Sequence, residues 1–147
     1  MADHDLVGKV LSTVTVEVAP KEVRRFVDTI GEPNPIYRDR AAAVAAGFPG
    51  IPLPPTFGFS LMLDRPDPFG FLPMLGIDIR KMLHAEQRFD YHAPLVTGEP
   101  ITLTDRVAER YEKKGGKLEF WALDTEARRA DGTLALTMRR MMVVVHG

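Results

Sequence analysis

The sequence predicts an α+β chain in which an antiparallel sheet wraps one buried helix. Three observations carry that prediction. Phe57 to Leu63 is apolar on every side, interrupted only by Gly58 and Ser60, and a helix of that kind belongs inside other structure. From Leu83 onward the pattern turns to period two, the mark of half-buried strands. Of the 12 prolines, 10 lie from Pro33 to Pro94 and none follows Pro100, so the second half is free to form long strands.

Each element has its own local signal. Val14 to Val18 reads as a short strand. Pro20 suits a first helical position, and Val23, Phe26, Val27 and Ile30 follow at amphipathic spacing until Gly31 stops the helix. Glu32-Pro33-Asn34-Pro35-Ile36-Tyr37 is kept from being helical by its two prolines. Asp39 caps a short helix, Ala41 to Ala46, which Gly47 ends. Gly50 to Pro55 is a rigid extended loop, and Thr56 reads as the N-cap of Phe57 to Leu63. Arg65 to Gly76 is an irregular excursion. Leu83, Ala85, Phe89 and Tyr91 then alternate with His84, Glu86, Arg88, Asp90 and His92 as the two faces of one strand. Ile101 to Tyr111, Leu118 to Ala127 and Leu134 to Val145 follow as strands, with Gly115-Gly116 and Asp131-Gly132 as hairpin turns.

Composition narrows the class of function. A chain of 147 residues with 45% apolar and 27% charged residues fits one soluble domain. The formal charge is -1, from 19 basic and 20 acidic residues, which gives no general drive toward nucleic acid or anionic lipid. There is no cysteine, which excludes a disulfide framework and thiolate chemistry. The apolar runs are too short to span a bilayer, and the opening Met1-Ala2-Asp3-His4-Asp5 is acidic where a secretory signal would be basic. A cytoplasmic, single-domain protein is expected.

Several motifs in order carry a resemblance. Gly31 to Asp39, Ala45 to Ile51, Pro54 to Phe57, Leu83 to Gln87 and Pro94 to Glu99 together resemble the MaoC-like hydratase/dehydratase family, most closely its N-terminal dehydratase branch. The resemblance runs from Gly8 to Val145. It implies a hotdog fold, a long sheet wrapped around a central helix, usually paired as dimers. It implies interconversion of (3R)-hydroxyacyl and trans-2-enoyl thioesters of coenzyme A or acyl carrier protein, with no cofactor and no metal.

The family pairs an Asp with a His five positions later, within Gly-Asp-x-Asn-Pro-x-His. Here those positions hold Glu32 and Tyr37. Glu32 keeps the carboxylate but adds a methylene, and a misplacement of ~1 Å can cost ~10²-fold in rate. A phenol ordinarily ionises near pH ~10, against ~6.5 for imidazole, so Tyr37 is a poor base at neutral pH. The resemblance places Asn34, Pro55, Thr56, Phe57 and Gly58 around the substrate, where the family's backbone N–H at the helix start faces the thioester oxygen. His84 is a family-matched position and a replacement base in principle.

The altered pair implies a dehydratase subunit, with a second hotdog subunit supplying Asp and His. The alternatives are a self-sufficient homodimeric hydratase, a non-catalytic acyl-CoA-binding protein and a hotdog thioesterase. Plainer roles stand beside these. Glu32 reads equally as a solvated charge, Asn34 as a turn residue and Tyr37 as a packed ring with a bonded hydroxyl. His84 and His92 share a polar strand face facing solvent or a subunit interface. His4 and His146 lie near the termini, and the four histidines have no metal-binding spacing. Phe57, Phe59, Leu61 and Leu63 are core or line an acyl channel. Phe69 to Leu75 caps an acyl tunnel, packs on a partner, or forms a satellite apolar cluster. Arg106, Arg110, Lys113, Lys114 and Lys117 are balanced by Glu109, Glu112 and Glu119 as a solvated strand face.

Overall fold

The computed structural model describes residues 6–147, so His4 and the acidic N-terminal stretch lie outside the described residues. In chain order the elements are β1 (Val10–Val16), α1 (Pro20–Ile30), a 3-10 turn at Pro35–Tyr37, α2 (Arg40–Ala45), α3 (Phe57–Leu63), β2 (Met82–Tyr91), β3 (Ile101–Lys113), β4 (Leu118–Arg128) and β5 (Leu134–Val145). The strands form one antiparallel sheet in the order β1-β3-β4-β5-β2, with β2 at an edge.

Local chemistry sets the helix ends. Pro20 opens α1, and the Glu22 carboxylate accepts the Ala19 N–H at 2.5 Å. Val23 and Val27, four residues apart, are fully buried. Gly31 closes the helix at φ 73, a conformation glycine adopts without steric cost. Asp39 caps α2 by accepting the Ala41 N–H at 3.0 Å.

Two strand expectations need correction. β1 begins at Val10 and ends at Val16, rather than running from Val14 to Val18. Its pairing with β3 from Val10 to Val16, and the Ser12 hydroxyl on Asp105 at 2.8 Å, outweigh the polar residues that hid its start. In β2 the register slips between His84 and Glu86, a bulge that inverts the alternation. His84 pairs with buried Met142 and Phe89 with buried Met138, while Leu83, 61% exposed, pairs with Val143. His84 therefore lies on the helix side of the sheet, opposite Glu86, Arg88 and Asp90.

α3 lies across the sheet. Phe57, Leu61 and Met62 are buried among Ile101, Leu103, Leu136 and Met138 of the sheet and Val23 and Val27 of α1. Gly58 makes the closest approach: a Cβ there would stand 2.7 Å from Leu136 Cδ2 and 2.8 Å from Met138 Sδ. A second cluster lies toward the other end of the sheet. There Phe71, Leu72, Leu75 and Ile77 cover Val107, Trp121, Leu123, Met142 and Val144. The apolar loop after α3 is thus the lid of a satellite core.

One ion pair is sealed between helix and sheet. Arg65, just beyond α3, donates from Nη2 to Asp105 Oδ2 at 2.5 Å and from Nε to the Met62 carbonyl at 2.9 Å. Thr125 donates to Asp105 Oδ1 at 2.5 Å. Arg140, its guanidinium 4.9 Å from the Phe71 ring, adds a second positive charge. Burial works to raise the Asp105 carboxyl, but the Thr125 hydrogen bond, the Arg140 and Arg65 charges and the Ser12 hydrogen bond outweigh it, and the group lies below its ordinary value.

A carboxyl whose folded pKa is depressed adds stability above its unfolded value and loses it as pH falls. Urea midpoints should therefore hold steady above pH ~5 and fall below pH ~4. Asp105→Asn should lower unfolding free energy by ~3–5 kcal/mol and blunt that acid limb, because it strands Arg65 and Arg140. Gly58→Ala should cost ~1–3 kcal/mol in the same measurement, since its methyl meets Leu136 and Met138.

Candidate functional site

The loop that follows α1 is tied by its own side chains. The Glu32 carboxylate accepts the Asn34 N–H at 2.9 Å, and Asn34 Oδ1 accepts the Ile36 N–H at 3.1 Å. Arg38 braces it from outside, donating to the Glu32 carbonyl at 2.9 Å and pairing with Asp28 at 2.5 Å. Glu32 and Asn34 therefore act in this structure as caps of loop amides. Their geometry turns Tyr37 inward, where it packs against the α3 core. Burial and then the Glu32 charge push the Tyr37 phenol above its ordinary value. At neutral pH it is a hydrogen-bond donor and not a base.

Tyr37 lines an open cleft of about 380 Å³. One wall is Tyr37, Phe48, Pro52, Leu53 and Pro55; the other is Tyr91, His92, Ala93 and Pro94. The walls are held together as short β pairing: Pro52 bridges Val96, and the Leu53 N–H donates to the Leu95 carbonyl at 2.8 Å. A smaller chamber of about 60 Å³ adjoins it, lined by Gly58, Leu95 and Leu136. Leu53, Tyr91, Ala93 and Pro94 border both.

The start of α3 borders these chambers with an unusual backbone. Thr56 has φ 69, in the left-handed region where a β-branched residue costs ~1–3 kcal/mol. Its hydroxyl makes no cap bond, which corrects the expected N-cap. Its N–H instead donates to the Tyr91 hydroxyl at 2.9 Å. The next amides behave differently. Phe57 N–H reaches the Pro54 carbonyl at 3.1 Å and Phe59 N–H the Thr56 carbonyl at 3.0 Å.

The structure gathers Tyr37, Pro55, Thr56 and Gly58 around this double chamber, with Glu32 and Asn34 behind Tyr37. Phe57 turns away: its ring meets Phe26 edge-on at 5.2 Å, beside a separate recess of about 420 Å³ between α1 and α3. His84 is also elsewhere, tilted against Phe59 at 5.2 Å with Nε2 3.2 Å from Gln87 Oε1. Most of the apolar lining escaped sequence reasoning, and so did two polar residues. Tyr91 reads in the sequence as a buried strand residue yet is 56% exposed, and His92 reads as part of an outer polar face. Among the described residues no three His, Asp or Glu side chains cluster to hold a metal, and no helix is long and apolar enough to cross a membrane.

Comparison with known proteins follows the same lines. Residues 5–138 match the model of the FAS1-like dehydratase domain region. The chain belongs to that family. A curated relative, UPF0336 protein SCO4636 of Streptomyces coelicolor, is 35% identical over 106 residues, 71% of each chain, and its name states no activity. Among solved structures, the HadBC (3R)-hydroxyacyl-ACP dehydratase complex of Mycobacterium tuberculosis superimposes with a TM-score of 0.77 at 19% identity, covering 95% of this chain and 97% of that one. The R-hydratase PhaJ1 of Pseudomonas aeruginosa gives 0.71 at 15% identity, covering 96% and 83%. The fold is the hotdog fold of the MaoC-like hydratases and dehydratases, as the motifs implied.

The Tyr37 environment gives a direct measurement. In ultraviolet titration, the phenolate transition missing from Tyr37→Phe should lie above pH ~10. Glu32→Gln should move that transition down part of the way and leave the share due to burial.

Proposed function

We propose that this chain is the acyl-thioester-binding subunit of a (3R)-hydroxyacyl-thioester dehydratase, the reverse reaction being hydration of a 2-enoyl thioester of coenzyme A or acyl carrier protein. It acts in acyl-chain metabolism as a single cytoplasmic domain, and a second hotdog subunit brings the Asp and His. The observation that carries this reading is the division of labour at the altered dyad. An apolar double chamber is present, while Glu32 and Asn34 are committed to loop amides and Tyr37 is held protonated.

The chemistry explains why a partner is required. Dehydration needs a base for the α-proton, an acid for the leaving hydroxyl and donors for the growing oxyanion. Tyr37 supplies a donor only. Glu32 is 2.9 Å from an amide it already satisfies, and moving it would leave Asn34 N–H without that acceptor. The walls formed by Phe48, Leu53, Ala93 and Pro94 suit the apolar part of an acyl chain. Assembly has an available route. β2 is a ten-residue sheet edge with Leu83 exposed, and an open ladder of that kind pairs readily with another strand. The dehydratase HadBC, similar in fold, is itself a complex.

The test is reconstitution. The purified chain should hydrate crotonyl-CoA and longer 2-enoyl-CoAs at background rates, and a hotdog protein with intact Asp and His should do so weakly. Their mixture should exceed either by ~10²-fold or more. Full turnover by this chain alone would overturn the subunit reading in favour of a homodimer. Release of free thiol from acyl-CoA would reveal a thioesterase.

A further inference from the structure

We infer that Tyr91 is the side-chain donor that binds the thioester oxygen in this cleft. The inference rests on the acyl-thioester reading above and names a residue no motif points to.

Tyr91 borders both the outer cleft and the inner chamber, so its ring stands where they join. More than half of the residue is exposed, so its ring is not held there by burial in the core. It stacks on Phe89 at 6.1 Å, which fixes the plane of the ring. Its hydroxyl oxygen accepts the Thr56 N–H at 2.9 Å. A phenol that accepts one hydrogen bond keeps its own proton to give, and accepting that bond strengthens the donation. The amide that holds it belongs to a residue in the left-handed region, φ 69 for a threonine. Strain of that kind persists where the surroundings enforce it, and here it aims the amide at Tyr91.

The Thr56 amide at the helix start is thus occupied, and the phenol extends its reach by one hydroxyl. During hydration, water oxygen bonds to C3 of the enoyl group. The C2=C3 electron pair moves through C2 and the thioester carbon onto the thioester oxygen. The Tyr91 O–H donates a hydrogen bond to that oxygen while it is negative. The enolate then collapses, and C2 takes a proton equal to the one water gave up to the partner's base. Tyr91 itself gains and loses no proton across the cycle.

The probe is 4-dimethylaminocinnamoyl-CoA, whose absorption moves to longer wavelength when its carbonyl is polarised. It reports on the carbonyl without turnover, in this chain alone and in the reconstituted complex. The wild-type chain should bind it with a red shift. Tyr91→Phe, which keeps the ring, should lose most of that shift while the dissociation constant rises no more than ~10-fold. In the complex the same variant should lower kcat by ~10²-fold, the scale for one oxyanion donor, with KM nearly unchanged. Tyr111→Phe, on the far sheet hairpin, should retain the shift, and thermal unfolding should show all three proteins folded. A shift that survives in Tyr91→Phe overturns the role of Tyr91 and leaves the acyl-thioester reading standing. Absence of binding by the wild-type chain, alone and in the complex, overturns both.

Discussion

The close approach of α3 to the sheet at Gly58 is the constraint on which the rest depends. With no side chain at that position, the helix settles against Leu136 and Met138. A helix so close leaves only about 60 Å³ between Gly58, Leu95 and Leu136 as the inner chamber. The same approach brings the amide of Thr56 within 2.9 Å of the Tyr91 hydroxyl at the end of β2. Chamber size, amide direction and tyrosine placement are then three consequences of one missing methyl group. A larger residue would push the helix outward and loosen all three together.

The far end of the helix is fixed by charge. Arg65 leaves α3 and reaches back to Asp105, with its Nε on the Met62 carbonyl. That bond satisfies a carbonyl of the last turn which the helix itself leaves open. Ser12 of β1 and Thr125 of β4 complete the carboxylate, so one acid joins three strands and a helix end. An apolar pair of the same volume could fill the space, but it would not specify the direction in which the helix leaves the sheet. The helix is thus pinned by packing at its start and by hydrogen bonding at its end. Its seven residues are too few to be stable without both.

Much of this fold was legible in the residues. The span Phe57 to Leu63 and the strand Leu134 to Val145 agree with the structure to the residue, because unbroken apolar or alternating patterns report burial directly. β2 was legible as a strand and its faces hold from Glu86 onward, yet those of Leu83 and His84 were exchanged, since a bulge is set by pairing with β5 and leaves no mark in composition. Thr56 shows the same limit at one residue. A threonine before a helix ordinarily caps it, and only the long-range bond to Tyr91 reveals why this one adopts φ 69 instead. Tyr91 and His92 were hidden for a related reason. The wall they form exists only once Leu53 pairs with Leu95, a contact between segments about 40 residues apart.

The altered dyad gains its meaning from the loop that holds it. Glu32 folds back on the amide two residues ahead at 2.9 Å. The carboxylate thus shapes the turn, as Asp39 does at the start of α2. The residue five positions on is half-buried against the core. A charged imidazole would be poorly placed there, whereas a phenol keeps a neutral ring against the core and a donor at the cleft. Glu32 and Tyr37 are thus compatible with each other as a structural pair, each making the other's environment. On the function proposed above the two substitutions form one change, a carboxylate turned to the loop and a neutral phenol turned to the cleft.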